Sequence, residues 1–500
     1  MKNISLISLS VLTCAITSVV KAEEAKKPNI IYILADDLGY GDVQVLNPDN
    51  GKIATPHMDK LAKQGMTFTD MHTTSSVCTP TRYGILTGRY NWRSRLQRSV
   101  LFGFDQPLID NKITTVPKLL KKQGYNTAMI GKWHLGLGMV TKDGKPSSKK
   151  KTNVDWKARI SGGPVDLGFD SWFGISASLD MPPFIWIEND RFIGECTTEK
   201  KFYRKGPAHE DFEAIDVLPE FGRRSAEFIA NYKEDKPFFL YVPLTSPHTP
   251  ILPTKEWQGK SGLGSYGDFV MMTDAVVGQI VDAVDASSFA SNTIFIVTSD
   301  NGCSNEADFP ALKAQGHLPS GIYRGSKSDI WDGGHRVPFI VRWPDLVKPG
   351  TQNDTLLCTT DLMATAAELS GGSLSDSEGV DSVSFVPALE GKEIQSTRKG
   401  VVHHSISGQF AYTQGKWKIL TVKGSGGWTK EKMKDDSPYQ LYDMEADPGE
   451  QNNLYKEKPE VFQKLVDQLL KDIRRGRSTH GPDQKNDVKV KFRPKGLEQK

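Results

Sequence analysis

The chain has 500 residues, 25% of them charged, and a formal net charge of +3. That length allows one large domain with an appendage or two domains, and a charge so near balance gives no basic surface of the kind that binds nucleic acid. The five cysteines are far apart and include no CxxC pair, which excludes a zinc ribbon or a thioredoxin-type motif.

Lys2 precedes an apolar stretch from Ile4 to Val20 that ends at the small Ala22. A charged start, an apolar middle and small residues at a cut site predict a secretory signal over residues 1–22, hence a secreted or periplasmic protein. No later stretch approaches the roughly 20 apolar residues of a spanning helix, so no membrane span is expected. Cys14 follows Thr13, which makes it a poor lipidation site. Removal of the signal leaves Cys78, Cys196, Cys303 and Cys358, of which one pair could close a disulfide in an oxidising compartment.

From Pro28 the pattern alternates. "NIIYILADD" is an apolar run closed by two carboxylates, as expected of a buried strand that delivers polar groups at its C-terminal edge. "TPHMDKLAKQGMTF" has helical apolar spacing after a Thr-Pro start. Helix followed by strand recurs in "TTVPKLLKKQGYNTAMIGKWH", in "FGRRSAEFIANYKEDKPFFLYVPLTSPH" and in "FVMMTDAVVGQIVDAVDASSFASNTIFIVTSDNG". Such repetition predicts an α/β fold with a large, mostly parallel sheet sandwiched by helices. Farther on, "DLMATAAELSG" reads as a short helix, "AYTQGKWKIL" as an antiparallel strand, "YQLYDMEADPGEQNNL" as a strand and turn, and "EVFQKLVDQLLKDIRRG" as an amphipathic helix. The expected division is a catalytic domain over 23–390 and a smaller α+β subdomain over 391–500, an antiparallel sheet plus helix.

In parallel sheets functional groups collect beyond the carboxyl ends of the strands. Four such exits carry polar clusters: Asp36 with Asp37, Lys132 with His134, His248, and Asp300 with Asn301. The acids and the amide are oxygen ligands suited to calcium or magnesium. Taken alone, "SDNG" is also an ordinary Asn-Gly turn, and His248 in "SPHTP" is also a histidine in a proline-bounded turn.

Cys78 stands in "SSVCTPTRYGILTGRY". A lone cysteine can be a buried structural thiol, a disulfide partner or a thiolate activated by a nearby cation such as Arg82. The run Cys78-Thr79-Pro80-Thr81-Arg82, continued through Leu86-Thr87-Gly88-Arg89, resembles the signature of the type I sulfatases of the alkaline phosphatase superfamily. The resemblance extends to "KPNIIYILADDLGYGD" and to "LYDMEADPGEQNNL".

That resemblance implies that a maturation enzyme oxidises Cys78 to formylglycine (3-oxoalanine). One hydroxyl of the hydrated aldehyde would attack sulfur and expel the alcohol; the second, once deprotonated, would collapse to the aldehyde and release sulfate by breaking carbon–oxygen. Covalent catalysis thereby divides one hard hydrolysis into two easier steps. It further implies that Asp36, Asp37, Cys78, Asp300 and Asn301 hold one divalent ion, calcium rather than magnesium. Lys132 and His134 would orient the nucleophile and help bear developing charge, with Lys132 also contacting substrate, and His248 would contact sulfate and protonate the leaving oxygen, a task suited to an ordinary pKa of roughly 6.5. Arg82 and Lys327 would stabilise charge on the transferring group. Asp332 stands where the family more often has glutamate before Gly333-Gly334. His335 and Arg336 are left undecided between support and substrate contact.

The expected reaction is hydrolysis of sulfate esters on a glycan, such as a galactose, galactosamine or fucose sulfate. Trp92, Arg93 and Arg95, the stretch "SASLDMPPFIWIENDR" with Asp180, and "GRSTHGPDQKND" from Gly476 combine aromatic surface with polar groups and are candidate substrate contacts, loop packing being the alternative for each. Competing readings are an arylsulfatase of small phenolic sulfates, a phosphoesterase on the same scaffold and a non-catalytic binder of sulfated glycans. Oligomeric state is left open.

Overall fold

The computed structural model describes residues 26–395, 397–492, 494 and 497; the expected signal segment and Cys14 lie outside them. Four parallel strands form the centre: Asn29–Asp36 (β1), Asn126–Lys132 (β2), Phe238–Pro247 (β3) and Thr293–Ser299 (β4). They lie side by side as β4, β1, β3 and β2 within a ten-stranded sheet. Ser171–Ile175 continues the parallel pairing beyond β2, whereas Phe339–Arg342 runs antiparallel to β4.

All eight residues of β1 are buried, because helices cover both faces of the sheet. Ile30, Tyr32 and Leu34 point into one apolar layer, and Ile31, Ile33 and Ala35 into the other, the two-residue alternation of a pleated strand. Helices Cys78–Thr87 (α2) and Val116–Lys122 (α3) cover the first face; Pro56–Gln64 (α1), Val217–Asn231 (α4) and Gly264–Asp285 (α5) cover the second.

A second sheet is antiparallel in simple chain order: Val401–His404, Phe410–Gln414, Trp417–Leu420 and Gln440–Asp443. Helix Pro459–Arg474 (α6) packs Phe462, Leu465, Val466 and Leu469 into the same apolar cluster as Val401 and Phe410. The stretch expected as one strand, "AYTQGKWKIL", is a hairpin. Gly415 has φ 54°, a left-handed conformation that costs glycine little, and it starts the turn between Gln414 and Trp417. The antiparallel hairpin Thr198–Phe202 with Arg204–Ala208 has no counterpart in the sequence reading.

Candidate active site

The four strand exits converge. Asp36 ends β1, and Asp37 follows with φ 66°, so the chain turns sharply and presents both carboxylates at one point. Cys78 is the first residue of α2, and its thiol lies 3.5 Å from Asp36 Oδ1. Lys132 ends β2 and pairs with Asp36 Oδ2. Asn301, just past β4, donates from Nδ2 to Asp37 Oδ1 at 2.7 Å, and Lys327 Nζ lies 2.7 Å from Asp37 Oδ2. Arg82, one turn along α2 from Cys78, sends Nε to Asp300 Oδ2 at 2.9 Å and Nη1 to the Lys132 carbonyl at 3.2 Å.

These groups are sealed from water: the charged Asp36, Asp300, Arg82 and Lys132 and the amide of Asn301 are all fully buried. Burial alone would raise the Asp36 carboxyl, but Lys132, His248 and Arg82 outweigh it and hold Asp36 well below the usual carboxylate range. Asp300 is raised, first by burial and then by Asp36. Burial also pushes the Cys78 thiol well up, and Lys132 and Lys327 do not offset it. That direction weighs against an activated thiolate beside Arg82.

The two histidines are oriented by backbone carbonyls. His248 Nδ1 meets the Thr249 carbonyl at 2.5 Å and must donate there, which leaves Nε2 facing Asp37 Oδ2 at 3.8 Å. His134 Nε2 donates to the Leu101 carbonyl at 2.8 Å, and Nδ1 lies 3.5 Å from the Ser178 hydroxyl. Burial, with Lys132 and Arg82 nearby, holds His134 well below the ordinary histidine range, so its imidazole is neutral.

Cys78, His134, His248 and Lys327 open onto one cavity of about 180 Å³, whose wall includes Asp180 and Arg204. Asp180, from the quoted 176–191 stretch, pairs there with Arg204 of the unexpected hairpin. Ser178 belongs to the same quoted stretch, whereas no motif marks Arg204 in the sequence.

Other candidates sit elsewhere. Trp92 and Arg93 are fully buried: the indole stacks on Tyr90 at 5.4 Å between ring centroids, and Arg93 grips Asp381 with Nε and Nη2, both at 2.8 Å. They join the catalytic region to the C-terminal part of the chain and do not face the cavity. Arg95 bonds to the Gln106 and Pro107 carbonyls. In the segment from Gly476, Ser478 donates to Asp381 and Thr479 to Val380. Cys78, Cys196, Cys303 and Cys358 are all free, so the disulfide that the sequence allowed is absent among the described residues.

His335 and Arg336 are buttresses. Arg336 bridges Asp70 and Asp332, and Asp332 also takes Lys418 Nζ at 2.6 Å. His72, His335 and His403 lie close enough to suggest a metal centre. However, the His335 and His403 rings stack at 3.9 Å with planes 9° apart. Their in-plane lone pairs run side by side and cannot converge on one ion.

The site beyond β1, β2, β3 and β4 is that of a hydrolase that handles an anionic ester: carboxylates for a cation, lysines for the anion, and an imidazole beside them. The family model "Sulfatase" matches residues 28–372, and "N-sulphoglucosamine sulphohydrolase, C-terminal" matches 326–478. The chain is 34% identical to an N-acetylgalactosamine-6-O-sulfatase of Bacteroides thetaiotaomicron over 95% of its own length and all of that protein's. It is 30% identical to human arylsulfatase A, over 92% of this chain and 90% of that one. A solved Bacteroides thetaiotaomicron sulfatase, described with a locus for metabolism of multiple glycosaminoglycans, superposes with a TM-score of 0.78 at 32% identity, covering 90% of this chain and 99% of that one. The chain belongs to the sulfatase family of the alkaline phosphatase-like fold and is a sulfuric ester hydrolase.

Proposed function

We propose that the protein removes sulfate from a sulfated sugar, with the 6-sulfate of N-acetylgalactosamine as the leading substrate, through a formylglycine made from Cys78 and with a divalent cation, calcium before magnesium. The carrying observation is the meeting of Cys78 with Asp36, Asp37, Asn301, Lys132 and Lys327 at one buried point. The galactosamine assignment rests on the Bacteroides relative, whose name states that substrate.

The donor set fits a hard cation. Asn301 Oδ1 is buried without a hydrogen-bond partner, while its Nδ2 is already used. An uncompensated buried carbonyl oxygen beside three carboxylates is costly unless a cation completes it. Asp36, Asp37, Asp300 and Asn301 would hold that ion, which would supply positive charge to the transferring sulfate. Formylglycine at that position would supply an oxygen nucleophile that the buried thiol does not offer.

The remaining side chains bind and move protons. Lys327, at the cavity wall, presents its ammonium to the sulfate, and Lys132 and Arg82 set the positive background. His248 has its Nδ1 proton committed to Thr249, so Nε2 is the atom that delivers a proton to the departing sugar oxygen. His134, neutral and pinned by Leu101, orients residue 78 and carries no net charge.

Export to the periplasm or beyond accords with the signal-like residues 1–22. The test is turnover of N-acetylgalactosamine 6-sulfate against the matched 6-phosphate, with mass spectrometry of the Cys78 peptide. Release of sulfate only, with an aldehyde-bearing peptide in active protein, is the expected result. A retained thiol in fully active enzyme overturns the nucleophile, and turnover of phenolic sulfates without any sulfated sugar overturns the carbohydrate assignment.

A further inference from the structure

Among the described residues five large apolar side chains stand exposed, and two of them, Tyr203 at 57% and Trp428 at 49%, border the cavity that contains Cys78. A soluble surface tolerates isolated exposed aromatics, but two at one cavity mouth mark a binding place. They come from distant parts of the chain. Tyr203 is the turn residue between Thr198–Phe202 and Arg204–Ala208, and Trp428 belongs to a loop after the third strand of the small sheet.

Both rings are held on fixed mounts. Tyr203 has φ 97°, a region that side-chain-bearing residues avoid and that persists where the surroundings impose it. Glycine would occupy that turn at lower cost, so the aromatic side chain carries a conformational penalty that the fold does not require. The Trp428 N–H donates to Ser328 Oγ at 2.9 Å, and Thr429 bonds Asp329 through its N–H at 3.2 Å and its hydroxyl at 2.5 Å. The indole is thus carried by a loop anchored to the two residues that follow Lys327.

The polar group beside them is incomplete. Asp180 is 5% exposed; Oδ2 takes Arg204, and Oδ1 is buried with no hydrogen-bond partner. Arg204 is itself fixed, with its guanidinium 5.3 Å from the Tyr203 ring centroid and 5.8 Å from that of Phe102. A buried acceptor left bare at a cavity wall waits for a ligand donor. The cavity volume, about 180 Å³, lies below the roughly 300–1,000 Å³ that drug-sized ligands need, which leaves room for one ring.

A pyranose carries an apolar C–H face and a belt of hydroxyl donors. We propose that Tyr203 and Trp428 form the rim that packs on the C–H face of the sulfated sugar, and that Asp180 Oδ1 accepts a hydrogen bond from one of its ring hydroxyls. This deepens the sugar-sulfatase reading and rests on it. These three side chains position the ring and take no part in the transfer of sulfate.

The test uses the full chain with Cys78→Ala, which binds without turnover, and N-acetylgalactosamine 6-sulfate as probe in calorimetry. Tyr203→Gly and Trp428→Ala are each expected to weaken Kd about tenfold or more, Trp428→Phe to keep most of the affinity, and Asp180→Asn to weaken it as well. Tyr203→Gly is also expected to leave Tm unchanged or raise it, because the turn is relieved; a merely structural tyrosine would lower it. In the active protein the same changes raise KM for that sugar more than they lower kcat. Sugar turnover with equal Kd in all variants overturns the rim and leaves the proposed reaction standing. Rim-dependent sugar binding without turnover overturns the reaction and leaves the rim standing.

Discussion

Asn301 and Asp37 are joined by a 2.7 Å hydrogen bond from Nδ2 to Oδ1, which turns the other end of the amide, Oδ1, into a buried acceptor without a partner. The bond fixes which way the amide points and so where a cation would find its oxygen. Asn301→Ala is expected to lower affinity for calcium by at least the roughly 10–100-fold that loss of a supporting group costs at a metal site. Calorimetric titration of chelator-stripped protein measures it; an unchanged affinity removes Asn301 from the donor set. Chelation of the parent protein is expected to abolish sulfate release and to be reversed by calcium.

Lys327 lies 2.7 Å from Asp37 and also borders the cavity, so in the proposed reaction one ammonium would both balance a cation-binding carboxylate and face the ester. Lys327→Met removes a positive donor aimed at charge that develops in the transition state. Such deletions cost roughly 10²–10³ in kcat. Steady-state rates with N-acetylgalactosamine 6-sulfate check this, and a variant within tenfold of the parent would place the sulfate elsewhere.

Arg93 and Asp381 form a two-bond ion pair with neither side chain exposed. Removal of one partner leaves an uncompensated buried charge, which costs roughly 3–5 kcal/mol. Arg93→Ala is expected to lower stability by that order in denaturant unfolding, with no change in KM for the sugar among molecules that remain folded. A raised KM at unaltered stability would return Arg93 to the substrate-binding set.

The contrast between Arg93 and Asp36 shows what the sequence could and could not convey. Asp36, Asp37, Lys132, His248 and Asp300 were legible because each closes an apolar run, and the end of a buried parallel strand has one destination. Trp92 and Arg93 fall on the packing side of two open readings, because an aromatic next to a guanidinium suits a sugar platform and a buried cation–π contact equally well; here the guanidinium lies 4.3 Å from the Trp92 ring centroid inside the core. Arg204, Tyr203 and Trp428 left no trace, since a polar edge hairpin and a glycine-rich loop have no periodicity to declare which cavity they border. The hairpin at Gly415 was hidden by an alternation that continues across a two-residue turn.

Asp472, inside α6 and 1% exposed, takes Gln468 Nε2 on Oδ1 at 2.8 Å and has no partner on Oδ2; Arg93 reaches only its main-chain carbonyl. Burial pushes its carboxyl up to about 7, Asp381 adds to the rise, and Gln468, Arg93 and Arg475 oppose it. Its position near the C-terminal end of the helix is likewise unfavourable for negative charge. The ordinary carboxylate value is about 3.9, so between about pH 4 and 7 the folded chain holds a proton that the unfolded chain has lost. The stability linked to this raised group is full below about pH 4 and is lost as pH rises through 7. Asp472→Asn keeps the shape and the Gln468 contact without the charge. It is expected to raise Tm clearly at pH 8 and little at pH 5, measured by scanning calorimetry at both. Equal shifts at the two pH values would show that Asp472 is already ionised in the folded protein.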